Sequence, residues 1–461
     1  MTLGGSVITS KAQPQLDYFS EFSGHHNPTF DARYKFSQFE CIYPEIHSNN
    51  LYRFSYHTQF GNTTSSLTKI LMVARVSITN RQGRKLPQDT ILAPCNLTLP
   101  SLFNSCKAYI NNVEIMTINN FPVYSYVRTQ LEATKMEKES FLEKSIYAED
   151  KIGHEDSFVK EENPSFYKRR EPFGTVDGTT GKFLWNEDEV VLTGVLNTVL
   201  PDVSMLVHPS EVKFDFELSR SDYVLMAQND KLDCKLNLKD LVLYVLNFSI
   251  SDPVYLKMQE KLNTSSLRYY FDDCHVVNYA IGQGEVSKII ETLGSARIPK
   301  SIILVFQETS RATGLLTKNC HKYPRVIRKE DGSGEAATIT SCRLTCGNVS
   351  IDGLEQNRID DGYAVNYMKY FLLNHMISGD SLPCDVSWDK YMQQFYFFYF
   401  DLSVAMSQQP EFVKSPTKTG SLRCYIDFSK PLPTPVTCYA LISTDACLVL
   451  GKNGRVTKEN T

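Results

Sequence analysis

Residues 93–131 read APCNLTLPSLFNSCKAYINNVEIMTINNFPVYSYVRTQL, and this stretch decides the fold. A short segment ends in the turn-like pair Leu99-Pro100. Lys107-Ala-Tyr-Ile is a strand candidate closed by Asn111-Asn112. Two adjacent Asn tolerate positive φ and suit a hairpin turn. Phe121-Pro122 then opens a helix, because the first helical turn leaves the N–H that Pro lacks without a partner anyway. Val123, Val127 and Leu131 recur at the four-residue spacing of one helical face. The same order of signals returns at 345–372, TCGNVSIDGLEQNRIDDGYAVNYMKYFL. A strand candidate ends at Asp352-Gly353, and a helix follows with Tyr363, Tyr367 and Phe371 on one face. Tyr126 and Tyr367 align at an offset of 241, about half of the 461 residues. An offset this long is no solenoid period. It points to two domains of one architecture in tandem.

A chain of this length holds two or three domains. Hydrophobic residues are 42%, enough for real cores, and the 26 Phe and 25 Tyr favour strands. The net charge of −4 gives no global electrostatic reason to bind nucleic acid, so a role around a genome would be enclosure rather than neutralisation. Of the twelve cysteines only Cys342 and Cys346 are close, and no C-x-x-C occurs. The N-terminus lacks an apolar signal run, so the thiols are expected to stay reduced, with no structural disulfide. The five N-x-S/T triplets then read as chance. No apolar run approaches the roughly 20 residues of a membrane span.

Along the chain, residues 1–39 read as an arm without period, and its His25-His26 has no partner at ligand spacing. Strand patterns follow from Leu51. Residues 132–171 carry eleven acidic and eight basic side chains with few apolar anchors, and read as a solvated insertion that extends to about 190. Lys168-Arg169-Arg170 reads as surface charge, with nuclear import the lesser reading. Glu211–Leu218 alternates, with Val212, Phe214, Phe216 and Leu218 on one face. The break at Ser251-Asp252-Pro253 is the domain boundary. The expected division is an arm at 1–39, one domain at 40–252, a second at 253–452 and a polar tail at 453–461. Many short strands with few helices argue for an all-β sandwich architecture.

Chemistry is sparse. There is no G-x-S-x-G and no H-E-x-x-H, and Gly282-Gln-Gly284 lacks the Lys-Ser/Thr ending of a phosphate loop. Asp272-Asp273, Asp360-Asp361 and Asp385/Asp389 are the carboxylate groupings, and each reads as turn capping. No catalytic residue, cofactor or metal is expected, and no enzyme.

Taken together, the motifs resemble major capsid proteins of the double jelly-roll lineage, of the Polinton (Maverick) and adintovirus type, with virophages and large DNA viruses further off. The resemblance spans roughly residues 45–452. It rests on Leu102–Val113 with its Asn111-Asn112 turn, on Phe121-Pro122-Val-Tyr124-Ser-Tyr126, on Arg268–Phe271, on Ile298-Pro299-Lys300 and the strand after it, and on Gly420–Pro433 with Pro431 and Pro433. Asn111-Asn112 departs from the family's commoner Asn-Gly. The resemblance implies two tandem jelly-roll β-sandwiches with short helices between strands. It further implies a homotrimer that forms pseudo-hexagonal capsomers of a DNA-enclosing icosahedral shell, with minor capsid or penton proteins as further partners. The place implied is the virion capsid, assembled inside the host cell, with neither specific nucleic-acid binding nor a membrane span. The alternatives are a glycan-binding or glycan-cleaving sandwich, which two Trp and no signal peptide disfavour, and a single-roll minor capsid protein, which the half-chain repeat disfavours.

Overall fold

A computed structural model describes residues 34–47, 50–58, 63–186, 188–196, 210–264, 266–293, 297–329, 334–346, 349–352, 361–373, 385–402, 420–451 and 455–460. The first sandwich is built from β1 (Tyr34–Ile42), β2 (Leu51–His57), β3 (Thr63–Thr79), β4 (Phe103–Ile110), β5 (Val113–Asn119), β6 (Val190–Val195), β7 (Glu211–Leu218) and β8 (Lys235–Ile250). Its sheets run β1-β8-β3-β6 and β2-β7-β4-β5, with Ile46–His47 along the outer edge of β2. The second comprises β9 (Leu267–Ile281), β10 (Ser287–Ile290), β11 (Ser301–Glu308), β12 (Ala337–Cys346), β13 (Val349–Asp352), β14 (Phe397–Asp401), β15 (Leu422–Phe428) and β16 (Val436–Leu450). Its sheets run β9-β16-β11-β14 and β10-β15-β12-β13. Every ladder between these strands is antiparallel. First strand beside last, third beside sixth, second beside seventh and fourth beside fifth, with the first two pairs in one sheet and the last two in the other, is jelly-roll topology. Each strand of the second half takes the place of the strand eight before it. The half-chain repeat is therefore a repeat of topology.

Local chemistry explains the elements. In β7, Val212, Phe214 and Phe216 are buried between the sheets. On the other face Asp215 stands opposite Arg53 of β2 and accepts from its Nε at 2.7 Å and its Nη2 at 2.6 Å. Such cross-strand pairs fix register, because a one-residue slip would exchange the faces. Asn111 and Asn112 make the two-residue turn between β4 and β5 at φ 49° and 64°. The Asn111 side-chain oxygen also accepts from the Glu211 N–H at 2.8 Å, tying the turn to β7.

The helices sit in corresponding places. α1 (Phe121–Glu132) follows β5, and α4 (Asp361–Leu373) follows β13. Between them lie α2 (Pro164–Arg170) and α3 (Asp252–Thr264); α5 (Trp388–Gln393) comes last. The link between the rolls is α3, which begins within the expected break at Ser251-Asp252-Pro253.

Two expected boundaries are corrected. β1 begins at Tyr34 and pairs with β8, so residues 34–39 are strand rather than arm. Residues 1–33, including His25-His26, lie outside the described residues. The expected polar tail is also a strand over most of its length. Val456–Asn460 pairs with Ala446–Leu450, and Lys458 Nζ donates to the Ile115 carbonyl at 2.7 Å and to Asp273 at 2.6 Å. Its alternating polar side chains belong to an outer strand.

The turn geometry predicts the effect of substitution. Asn112→Val, with a β-branched side chain at positive φ, should lose about 1–2 kcal/mol in denaturant unfolding. Asn112→Gly should stay within a few tenths of a kcal/mol of the parent.

Candidate functional site

The candidate site is the junction between the rolls, and the segment read as a solvated insertion builds it. Residues 132–190 follow α1, and Lys138, Asp150, Glu155, Arg169 and Arg170 of this segment are buried. A buried charge must be paired and hydrogen-bonded. Arg169 donates to Asp150 at 2.8 Å, to the Ala148 carbonyl at 2.8 Å and to the Pro94 carbonyl at 3.0 Å. The Arg170 guanidinium lies 3.7 Å from the Phe183 ring centroid and 5.4 Å from that of Trp185. The Lys168-Arg169-Arg170 triplet is therefore no surface patch: its last two members are interior.

Among the described residues, five ion pairs cross from this segment to the second roll, the longest of them Asp156 with Lys322 at 3.6 Å. Asp156 takes a bidentate fork from Arg311, at 2.6 and 2.7 Å. Glu155 meets Lys322 at 2.8 Å. Lys138 pairs with Asp385, and Glu149 with Lys390. Gln130 of α1 lies between the two lysines and accepts from Lys390 at 2.6 Å and from Lys138 at 3.4 Å. Asn319 closes the network, donating to Asp150 at 2.7 Å through its side chain and to Asp156 at 2.8 Å through its backbone. Burial alone would raise the Asp156 carboxyl, but Arg311, Lys322 and the Asn319 N–H hold it well below the usual carboxylate range. Burial and neighbouring Lys138 together push the Lys390 ammonium down against the pull of Glu149.

This packing changes the character of α1. The sequence gives it one apolar face, yet Phe121, Pro122, Val123, Tyr124, Ser125, Tyr126, Val127, Thr129, Gln130 and Leu131 are all buried. The first roll covers one side, and the insertion and second roll cover the others. Tyr126 stacks on His321 of the second roll with ring centroids 4.3 Å apart and planes within 4°. It also meets Tyr323 and Phe395, at 6.0 and 6.2 Å. The Tyr370 hydroxyl of α4 reaches back to the Leu131 carbonyl at 3.4 Å. One continuous apolar core runs through both rolls.

The motif positions are scattered over this frame. Asn111 and Asn112 lie at the β4–β5 turn, far along the sheet from the junction helix. Pro122, Tyr124 and Tyr126 are in α1, and Tyr126 alone among them makes the ring stack across the junction. Pro299 is buried two residues ahead of β11. Lys300 pairs with Asp272 of β9 at 3.0 Å, and its N–H donates to the Ser443 carbonyl of β16 at 2.8 Å. Pro431 is exposed and Pro433 buried in the β15–β16 connection. Asp272 and Asp273 correct an expectation: they lie within β9, paired with Lys300 and Lys458, and cap no turn. Sequence reasoning singled out none of the crossing charges. Asp385, flagged only as half of a carboxylate spacing, is the exception in name but not in role.

No protein-family model and no curated protein matches the chain. Solved structures do. A chain of the Sputnik virophage particle, determined by cryo-EM, superposes with a TM-score of 0.65 at 11% identity, covering 95% of this chain and 91% of its own. The mavirus major capsid protein gives 0.53 at 10% identity, with 95% and 92% covered. The Faustovirus major capsid protein gives 0.54 at 7% identity, with 92% of each chain covered. This chain is a double jelly roll. At such identities the likeness resides in strand order and in the placement of connections, which the eight-strand correspondence between the halves already displays. The double jelly roll also accounts for the paired helices α1 and α4, which occupy the same connection in each half.

Two outcomes test the junction. Asp156→Asn should cost about 3 kcal/mol at pH 7, the lower end for breaking a buried pair, because the carboxylate keeps a quarter of its side-chain surface. A carboxyl held low in the folded state stabilises above its ordinary value of about 4 and stops doing so as pH falls through the folded value. Unfolding curves of the two proteins should therefore converge on acidification below about pH 4. Limited proteolysis of the native chain should spare 132–171, against the expectation from composition.

Proposed function

We propose that this chain is a major capsid protein, which assembles as trimeric pseudo-hexagonal capsomers into an icosahedral shell enclosing a DNA genome. One observation carries the reading: the likeness to viral capsid proteins runs over more than nine-tenths of the chain and takes in both rolls in order. Four of the exposed large apolar side chains support it. Phe39 on β1, Val191 on β6, Tyr270 on β9 and Ile289 on β10 are exposed, and each stands on an end strand of its sheet among the described residues. End strands offer unpaired backbone and apolar side chains together, and a three-fold ring buries such surfaces. The partners are further copies of this chain, then minor capsid or penton proteins. The place is the virion capsid, assembled inside the host cell, and the lineage is the Polinton and adintovirus type. Binding to the genome is by enclosure, without sequence reading. The arm expected at 1–39 is the segment proposed to order on assembly, and its residues 1–33 lie outside the described residues.

A glycan-binding or glycan-cleaving sandwich is not favoured. Trp185 is buried against Phe183, and Trp388 packs edge-on to Tyr367, so neither Trp is a free-standing platform. Sedimentation of the purified chain is the test. The expected species is a trimer that associates further into sheets or shells. A folded monomer at micromolar concentration, with no trimer at any salt, overturns the reading.

A further inference from the structure

Cys95, Cys320 and His321 bring two sulfurs and a ring nitrogen within 4.8 Å of one another, and all three residues are buried. Cys95 belongs to the first roll, just ahead of β4. Cys320 and His321 lie in the second, in the connection after β11. Their frame is fixed on both sides. Leu97 adopts φ 52°, and the Asn96 side-chain oxygen accepts from the Leu97 and Ala148 N–H groups, each at 2.9 Å. The Thr98 hydroxyl donates to the Cys95 carbonyl at 2.7 Å. Opposite, the His321 N–H donates to the Asn319 side chain at 2.8 Å, and Asn319 is held by Asp150 and Asp156.

Hydrogen bonding orients the imidazole. The Ser101 hydroxyl donates its one proton to the Leu97 carbonyl at 2.9 Å. It therefore accepts from His321 Nε2, 3.0 Å away. Nε2 then carries the proton of that bond. Nδ1 is buried and has no hydrogen-bond partner among the described residues. The hydroxyls of Tyr223 and Tyr323 are likewise buried without a partner there. The Tyr223 ring lies edge-on to His321, and Tyr323 packs against Tyr126, which itself stacks on His321. A buried polar atom left unbonded costs about 1–3 kcal/mol, so three around one cluster call for an explanation.

We propose that Cys95, Cys320 and a ring nitrogen of His321 bind a zinc-class divalent cation that pins the first roll to the second. Two sulfurs and an imidazole are the donor set that suits this ion, and in a tetrahedral site its ligand sulfurs stand about 3.8 Å apart, which the 4.8 Å bound on the donor atoms here accommodates. Binding releases the two thiol protons to solvent and needs no oxidant. A water completes the fourth position, and its two polarised O–H groups donate to the two phenol oxygens. Ser101 is the positioning residue, since a ligating imidazole is held by the hydrogen bond on its other nitrogen. The site is a clamp within one chain, so it stands or falls independently of trimer assembly.

The test uses the full chain, purified under reducing conditions without chelator. Elemental analysis should find about one zinc per chain. After chelation, cobalt(II) titration should develop thiolate-to-cobalt charge-transfer and tetrahedral d–d absorption. Cys95→Ala and Cys320→Ala should lose both signals, Cys342→Ala should keep them, and Ser101→Ala should weaken metal affinity about 10–100-fold. Chelation should lower the unfolding midpoint of the parent but not of Cys95→Ala. The wild-type titration decides the matter even where a variant fails to fold. Absence of the cobalt bands in the folded parent, their persistence in Cys95→Ala, or a Cys95–Cys320 disulfide in protein alkylated without reduction overturns the proposal.

Discussion

Arg311 is almost wholly buried, and a guanidinium in that position is tolerated only if its donors are met. They are met by Asp156 from the first roll, by Glu308 on its own side at 2.9 Å and by the Asn319 carbonyl at 3.1 Å. The dependence runs both ways. The 132–171 segment has too few apolar side chains to order itself, so its chain entropy must be met by partners outside it. Those partners are on the second roll, and the second roll cannot bury Arg311 or Lys322 without the segment. Replacing such pairs by apolar side chains could equal them in stability. What the charges add is register, since a carboxylate fork and a lysine–glutamate pair in series admit one docking of the rolls.

Apolar packing then makes the docking stiff. Domains joined by modest polar interfaces move relative to one another by default. Here Tyr126 inserts between His321, Tyr323 and Phe395, and a single core extends across both sandwiches. The double jelly roll is therefore one cooperative body by its packing, although its topology is two repeats.

What the sequence made legible was local. The period-2 run of β7, the Asn111-Asn112 turn and the Phe121-Pro122 helix start each involve neighbours a few residues apart, and each lies where its chemistry puts it. The half-chain offset was legible because both halves use the same strand, turn and helix order. The junction was not. Lys138, Glu149, Glu155 and Arg169 have the composition of a solvated face, and nothing nearby says otherwise. Asp385 lies 247 residues from Lys138, and Arg311 lies 155 from Asp156. Cys95 and His321 escaped for the same reason: ligand spacing can be read only when ligands are close in sequence, and the Ser101–His321 contact spans 220 residues. The end strands were misread because Lys458 and its neighbours alternate polar side chains on an outer edge, which looks like a tail.

The aromatic content has to be reapportioned on this view. Its abundance favours strands, and Tyr126, Tyr323, Tyr391, Tyr396 and Phe395 are among the most completely buried side chains. They fill the junction and the interior of the second roll. A Tyr is well suited to that work, because it brings large apolar area with a hydroxyl that can close a backbone carbonyl, as Tyr363 does with Ile339 at 3.0 Å. Apolar side chains left at the surface are found instead on end strands, as Phe39, Val191, Tyr270 and Ile289, and on α4, where Val365 and Met368 are half exposed. Among the described residues they belong to five different elements, β1, β6, β9, β10 and α4. A Phe or Tyr placed in the interior stiffens the body, and the surface is left to single apolar side chains set among polar ones.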